Sequence, residues 1–176
     1  MAGRSRKRLI STGISLITTL VVVPLAYWFI VAAIDNAIGW ERLSQDAVLI
    51  ILAAAAFLIG VFWISWAYSY LLFVGEGMSQ DELGTGLEPT HILITTGPYA
   101  YVRHPAAIGL LFLLLGVALL QRSISGLVLL PVIAVGMLPY HMIFEENALL
   151  KRFGAEYETY REHVPFMIPR LRPYIH

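Results

Sequence analysis

The sequence has no cysteine and little charge. Among its 176 residues the absence of cysteine excludes disulfides, thiolate metal sites and a cysteine nucleophile. Only 14% of the residues are charged, and 12 basic and 12 acidic residues cancel to a formal net charge of zero. The totals therefore give no argument for nucleic acid as a partner, and we expect none.

Two nucleotide-binding patterns are also missing from the sequence. It has no GxxxxGK[ST] loop, which argues against an ordinary nucleoside triphosphatase. It also has no GxGxxG motif between a strand and a helix, so a Rossmann nucleotide site has no support.

Apolar residues, in contrast, are abundant. They make up 58% of the chain, and its mean hydropathy is +0.72. A soluble domain is usually about half apolar and about a quarter charged, and a soluble core of this size could not bury the surplus. The sequence therefore predicts an all-α integral membrane protein that forms a single membrane domain, with membrane lipids as its surroundings.

Four apolar segments predict about four transmembrane helices, which span residues 9–34, 47–74, 106–120 and 124–144. About 20 residues are needed to cross the hydrocarbon core of a bilayer. The first two segments are long enough, whereas the third must borrow flanking residues. The short link between the third and fourth segments predicts an antiparallel helical hairpin.

Basic residues lie mostly on one side of this predicted topology. The N-terminal arm, the loop 75–105 and the tail 145–176 carry ten of the lysines and arginines, and only Arg42 and Arg122 fall on the other side. By the positive-inside rule, both termini and the loop are expected in the cytoplasm.

The tail is predicted to be helical from residue 145 to residue 163. Its apolar and aromatic residues recur at spacings of four, four and three, at Leu149, Phe153, Tyr157 and Tyr160. Such a stripe could lie on the membrane surface or cover another part of the protein.

Polar residues gather where the third and fourth segments meet the cytoplasmic side. Arg103 and His104 precede the third segment, while His141, Glu145 and Glu146 end the fourth. The hairpin would make them neighbours, and ionisable groups at this depth are costly enough to suggest function. Alternatively, these residues have no functional role. The basic residues would then only flank a transmembrane helix, and the two glutamates would begin a solvent-exposed surface helix.

This cluster suits a zwitterionic soluble cofactor, and the adjoining apolar hairpin suits a lipid-like substrate that arrives from the bilayer. His104, His141 and Glu145 could also be arranged as metal ligands, but nothing in their spacing demands it. We therefore expect no metal.

Two stretches together resemble a known family. "HILITTGPYAYVRHPAAIG", at residues 91–109, and "EENALLKRFGAEYETYREHVPFMIP", at residues 145–169, resemble the isoprenylcysteine carboxyl methyltransferase and phospholipid methyltransferase superfamily of integral membrane enzymes. The resemblance implies S-adenosyl-L-methionine as cofactor and a lipophilic small molecule or lipid as methyl acceptor.

Carried over by position, the resemblance implies catalytic roles for Arg103, His141 and Glu145. It implies a cofactor site made of His91, Ile92, Leu93, Ile94, Gly97, Tyr99, His104, Pro105, Ala106, Ala107, Glu145 and Glu146.

Two positions depart from the family pattern. Ala107 replaces a usual tyrosine, and His141 replaces a frequent arginine that could meet an acceptor carboxylate. Ala107 keeps open the alternative of a non-catalytic membrane protein that retains the fold. An NADPH-dependent membrane reductase is a second alternative, because sterol reductases have a similar Arg-His-Pro motif and Val-Pro ending.

Overall fold

The computed structural model of the chain describes residues 2–44, 46–75 and 92–175, with side chains from residue 9 onward. All regular secondary structure in these ranges is helical, which confirms the predicted all-α class. Most of the loop 75–105, including the predicted cofactor residue His91, lies outside the described residues. The described α-helices are α1 (Ala2–Ile17), α2 (Val23–Ile38), α3 (Ala47–Phe73), α4 (Pro105–Gln121), α5 (Ile124–Pro139), α6 (Glu146–Phe153) and α7 (Ala155–His163).

Two pairs of these helices are continuous through wider, π-helical turns. Thr18–Val22 joins α1 to α2, and Tyr140–Glu145 joins α5 to α6. A proline lies within two residues of each segment, at Pro24 and Pro139. Proline removes an amide donor and crowds the preceding turn, so irregular helical turns are expected near it.

Three helical runs among the described residues are long and apolar enough to cross a membrane. They are Leu9–Ile38, Ala47–Phe73 and Ile124–Phe153. The last continues well beyond residue 144, where the sequence predicted the segment to end. Helix α4 is apolar but has 17 residues, which at 1.5 Å per residue gives about 25 Å. The chain is thus an integral membrane protein, and a fourth crossing stays a prediction.

Helix α4 is the most enclosed of these helices and packs most extensively on α3. Glycine allows the two backbones to approach closely at Gly60, Gly109 and Gly116. A Cβ on Gly109 would lie 2.8 Å from the amide nitrogen of Ile64 and 2.9 Å from the carbonyl oxygen of Gly60. Small residues at such crossings are how membrane helices gain packing when water no longer drives them together.

Polar contacts fix the far end of the α4–α5 pair against α2. The carboxylate of Asp35 accepts a hydrogen bond from the amide of Ser125 at 3.0 Å. The hydroxyl of Tyr27 donates to the carbonyl of Gly126 at 2.6 Å. The bond to Asp35 satisfies a buried amide in the first turn of α5, which has no partner within the helix and would otherwise be costly in a membrane.

The tail is not the single helix expected between residues 145 and 163. It divides at Gly154, whose φ of 55° and ψ of −128° are a backbone conformation that residues with a Cβ rarely adopt. The chain therefore changes direction between α6 and α7. After α7, residues 164–175 fold back irregularly towards the turn that precedes α4.

The α3–α4 contact predicts that Gly109→Ala will destabilise the protein. The added methyl would overlap backbone atoms of α3, and overpacking of this kind costs about 1–3 kcal/mol. Thermal denaturation of the purified protein in detergent would measure the loss. Gly13→Ala is the matched control because a Cβ there meets nothing within 4 Å, and equal melting temperatures for the two variants would contradict the prediction.

Candidate active site

The turn before α4 is held in place by the C-terminal segment. The amide of Arg103 donates to the carbonyl of Pro165 at 3.0 Å, and the amide of Tyr174 donates to the carbonyl of Ala100 at 2.9 Å. The short 3₁₀ helix Gly97–Ala100 begins this turn, with Gly97 at a φ of 60° against the ring of Tyr70. Arg103 and His104 thus emerge from a backbone anchored on both sides.

Five side chains meet at the junction of this turn with the α5–α6 helix, and we call them the polar cluster. Nη1 of Arg103 donates to Oε1 of Glu146 at 2.5 Å, and Nε2 of His104 lies 3.2 Å from the same oxygen. Nδ1 of His104 lies 3.3 Å from Oε2 of Glu145, and Nδ1 of His141 lies 2.5 Å from that oxygen. The two glutamates therefore bridge the two segments.

Aromatic contacts close the polar cluster from the side of the tail. The rings of His104 and His141 have centroids 4.5 Å apart, and the ring of Phe166 meets His104 edge-on at 4.7 Å. The guanidinium carbon of Arg103 lies 5.3 Å from the centre of the Phe166 ring, within the range of a cation–π contact. Phe166 thus shields the cluster from water.

Burial and charge act in opposite directions on His104, which is only 4% exposed. Burial lowers the pKa of this imidazole, but its hydrogen bonds to Glu145 and Glu146, together with their charges, raise the pKa above its ordinary value. The cluster therefore favours a cationic His104 between two carboxylates.

An aromatic cavity adjoins the polar cluster. It encloses about 420 Å³ of space when its open mouth is included. Arg103 and Glu145 supply opposite charges to its wall. The remaining lining is apolar or aromatic and consists of Leu71, Leu93, Ile94, Tyr99, Leu149, Phe153, Tyr157 and Tyr160.

A second space, the polar cavity, shares Leu71, Tyr99, Arg103 and Glu145 with the first. It encloses about 460 Å³ and is also lined by Tyr68, His104, Pro105, Ala106, Ala107, Tyr140 and His141. Beyond it lies a lateral groove of about 730 Å³, lined by Thr19, Tyr68, Ala106, Ala107, Leu110, Ile133, Gly136, Met137, Tyr140 and His141. The aromatic cavity, the polar cavity and the lateral groove thus follow one another from the C-terminal tail towards the apolar helices.

The structure brings most of the predicted site residues to these spaces. Those that line the aromatic or polar cavity are Leu93, Ile94, Tyr99, Arg103, His104, Pro105, Ala106, Ala107, His141 and Glu145. Glu146 is buried behind them in its ion pair with Arg103. Ile92 is half-exposed and Gly97 packs on Tyr70, so neither is part of either lining.

Sequence reasoning did not assign several residues that line the cavities. The stripe of Leu149, Phe153, Tyr157 and Tyr160 covers the aromatic cavity. Of the two predicted roles for this stripe, the one in which it covers another part of the protein is therefore correct. Tyr68 and Leu71 of α3 also reach the polar cavity. Their spacing in an apolar helix gave no signal that separates them from ordinary packing residues.

The same cluster contains the one group among the described residues with metal-binding geometry. Ligand atoms of His104, His141 and Glu145 all lie within 4.8 Å of one another. The same three side chains already contact one another, through Nδ1 of each histidine and Oε2 of Glu145. A cation would therefore have to replace those contacts.

Comparison with known proteins identifies the sequences that this chain resembles. Residues 48–156, more than half of the chain, match the phospholipid methyltransferase family. A protein-S-isoprenylcysteine O-methyltransferase of Schizosaccharomyces pombe is 37% identical over 45% of this chain and 34% of its own length. Methanethiol S-methyltransferase 2 of Bradyrhizobium diazoefficiens is 28% identical over 67% of this chain and 48% of its own length.

A third relative carries a different name. A nickel-cobalt-cadmium resistance protein of Alcaligenes xylosoxydans xylosoxydans is 32% identical over 76% of this chain and 65% of its own length. The chain therefore spans between 34% and 65% of the length of these three relatives.

The buried ion pair predicts a large effect of Glu146→Gln on stability. Arginine cannot lose its charge, so the substitution leaves the Arg103 guanidinium buried with a neutral partner. Breaking one half of a buried pair costs about 3–5 kcal/mol, and thermal or denaturant unfolding in detergent would measure it.

The matched control is Glu158→Gln, which removes the exposed partner of Arg161 in a 3.7 Å pair. We expect it to change stability by less than about 1 kcal/mol. Similar losses in the two variants would show that the Arg103–Glu146 pair is not buried as described.

Proposed function

The chain belongs to the phospholipid methyltransferase family, and we propose that it transfers a methyl group from S-adenosylmethionine to a lipophilic acceptor. The acceptor would be an isoprenylcysteine carboxylate, a phospholipid amine or a similar lipid-like molecule. The observation that carries this proposal is the position of the polar cluster, between the aromatic cavity and the mostly apolar lateral groove.

The aromatic cavity has the chemistry of the cofactor. Arg103 and Glu145 offer a cation and an anion in its lining, as a zwitterionic amino-acid group requires. The rest of the lining is aromatic and aliphatic, which suits an adenosine. When bound, S-adenosylmethionine supplies an electrophilic methyl group on a positively charged sulfur.

The lateral groove would admit the acceptor from the lipid phase. Its walls are mostly apolar, and it shares Tyr68, Tyr140 and His141 with the polar cavity. An acceptor that entered along α4 and α5 would therefore meet the polar cluster at His141. Holding donor and acceptor in line in a water-poor space supplies much of the rate of such a displacement.

His141 is the residue that we assign to proton removal. Glu145 accepts from Nδ1 of the imidazole at 2.5 Å, which in a neutral ring leaves the lone pair on Nε2. That nitrogen could take a proton from an amine or a thiol as the methyl group arrives. No lysine or arginine occurs among the described residues that line the groove, which favours such acceptors over a carboxylate.

His104→Ala and Glu145→Ala are expected to lose cofactor affinity without unfolding. Each removes contacts at the junction of the two cavities, while the buried Arg103 keeps its partner Glu146 in both variants. Hydrogen bonds to charged groups contribute about 1.5–3 kcal/mol each, so we expect roughly a 100-fold loss or more.

Calorimetric titration of the purified protein with S-adenosylhomocysteine would measure this loss, with NADPH titrated in parallel. His163→Ala, at an exposed position on α7, is the control and should bind as the parent does. Unchanged affinity in both site variants would remove the site assignment, and binding of NADPH alone would indicate a reductase.

We also propose that both termini face the cytoplasm. The chain has no cysteine, so single cysteines can be introduced at the exposed positions Ser44 and His163. An impermeant maleimide should label Ser44→Cys in intact cells and His163→Cys only after lysis. The reverse pattern would place the polar cluster on the outer side of the membrane.

A further inference from the structure

A second apolar groove lies between α4, α5 and the C-terminal segment, and we call it the tail groove. It encloses about 740 Å³ of space when its open mouth is included, and its whole lining is apolar. Helix α4 contributes Ile108 and Phe112, α5 contributes Val135 and Leu138, and the C-terminal segment contributes residues 167–169. The proposed methyl transfer makes no use of this groove.

The tail groove and the lateral groove lie on opposite faces of the α4–α5 pair. On α5, Gly136 and Met137 line the lateral groove, whereas Val135 and Leu138 line the tail groove. With 3.6 residues per turn, these two pairs of residues point to opposite sides of the helix. A ligand in the tail groove is therefore separated by the helices themselves from the path proposed for the acceptor.

The C-terminal segment carries exposed apolar side chains beside the tail groove. Ile168 is 81% exposed and Leu171 is 100% exposed. The segment is nevertheless fixed in place, because the amide of Arg170 donates to the carbonyl of Tyr101 at 3.0 Å, just ahead of the membrane-embedded α4. Large apolar side chains at such a position are stable when they dip into the bilayer edge.

The same segment is basic. Residues 163–175 include two arginines, Arg170 and Arg172, and no aspartate or glutamate. Both arginines are exposed, and Arg170 directly follows Pro169 of the groove lining. The positive charge therefore lies at the end of the groove that the C-terminal segment forms. Guanidinium groups at such a place are suited to phosphate oxygens.

We propose that the tail groove binds an acyl chain of an anionic phospholipid, and that Arg170 and Arg172 hold its phosphate headgroup. One lipid accounts for both features, because its chain follows α4 and α5 into the bilayer while its headgroup stays at the bilayer edge. A symmetric dimer built on this groove would bring the same arginines of two copies to one interface, so the charge favours the lipid. This inference does not depend on methyl transfer.

The lipid would stabilise the folded tail. Phe166, which covers the polar cluster, is adjacent in sequence to Met167 of the groove lining. A ligand that binds only the folded segment stabilises it by mass action. Phosphatidylglycerol should therefore raise the melting temperature of the protein in detergent, and phosphatidylcholine with the same acyl chains should raise it less.

Native mass spectrometry of the full chain in detergent tests the headgroup contact. The protein is titrated separately with phosphatidylglycerol and with phosphatidylcholine that carries the same acyl chains. Each basic residue near an anionic headgroup contributes roughly fivefold in affinity, so the two arginines should give about a 25-fold preference for phosphatidylglycerol. Arg172→Gln should reduce this preference roughly fivefold. Arg161→Gln is the control, because it removes the same charge at an exposed position on α7, and it should leave the preference unchanged.

A substitution in the groove tests the contact with the acyl chain. Val135 lines the tail groove and is 65% exposed, so Val135→Trp fills the groove without displacing buried atoms. It should lower the binding of both lipids and keep the melting temperature of the lipid-free protein. Val128→Trp is the matched control, because Val128 is also more than half exposed and lies about two turns away on the same helix. This control should bind lipid as the parent protein does.

Three results would overturn the proposal. Equal affinity of the parent protein for the two lipids, or an unchanged preference in Arg172→Gln, would show that the arginines do not hold the headgroup. Undiminished lipid binding by Val135→Trp would place the acyl chain outside the tail groove. Conversion of a dimer to a monomer by Val135→Trp would identify the groove as an interface between two copies of the chain.

Discussion

The architecture of the site depends on two adjacent glutamates that each bind across the gap between two chain segments. Glu146 holds Arg103 and His104, while Glu145 holds His104 and His141. Charged groups at the edge of a bilayer are stable only when they are paired and hydrogen-bonded. The same pairing that offsets their desolvation therefore joins the turn before α4 to the end of the long α5–α6 helix.

The positions of these glutamates follow from the helices behind them. Glycines at Gly60, Gly109 and Gly116 bring the backbones of α3 and α4 together, so that Tyr68 and Leu71 reach the cavities that the turn before α4 also lines. The tail then returns and hydrogen-bonds to residues 100–103. Close helix packing on one side and the tail on the other leave little freedom for Arg103, which is what a preorganised binding site requires.

Irregular helical turns lie on both sides of the lateral groove. Thr19 comes from the π-helical segment between α1 and α2, and Tyr140 and His141 come from the segment between α5 and α6. Such turns occur often at functional sites because they change which side chains face inward. The hydroxyls of Thr19 and Tyr68 lie 3.0 Å apart, so polar contacts extend from the polar cluster along an otherwise apolar groove.

The sequence by itself determined that this is a helical membrane protein, because an apolar surplus in segments of this length admits few other structures. It also determined which polar residues matter, since Arg103, His104, His141 and Glu145 stand out in such surroundings. Only the tertiary structure decided that the tail divides at Gly154, that Phe166 closes the cluster and that Tyr157 lines the aromatic cavity. These features depend on contacts between residues far apart in the chain, and helical periodicity carries no information about which distant partner a side chain will meet.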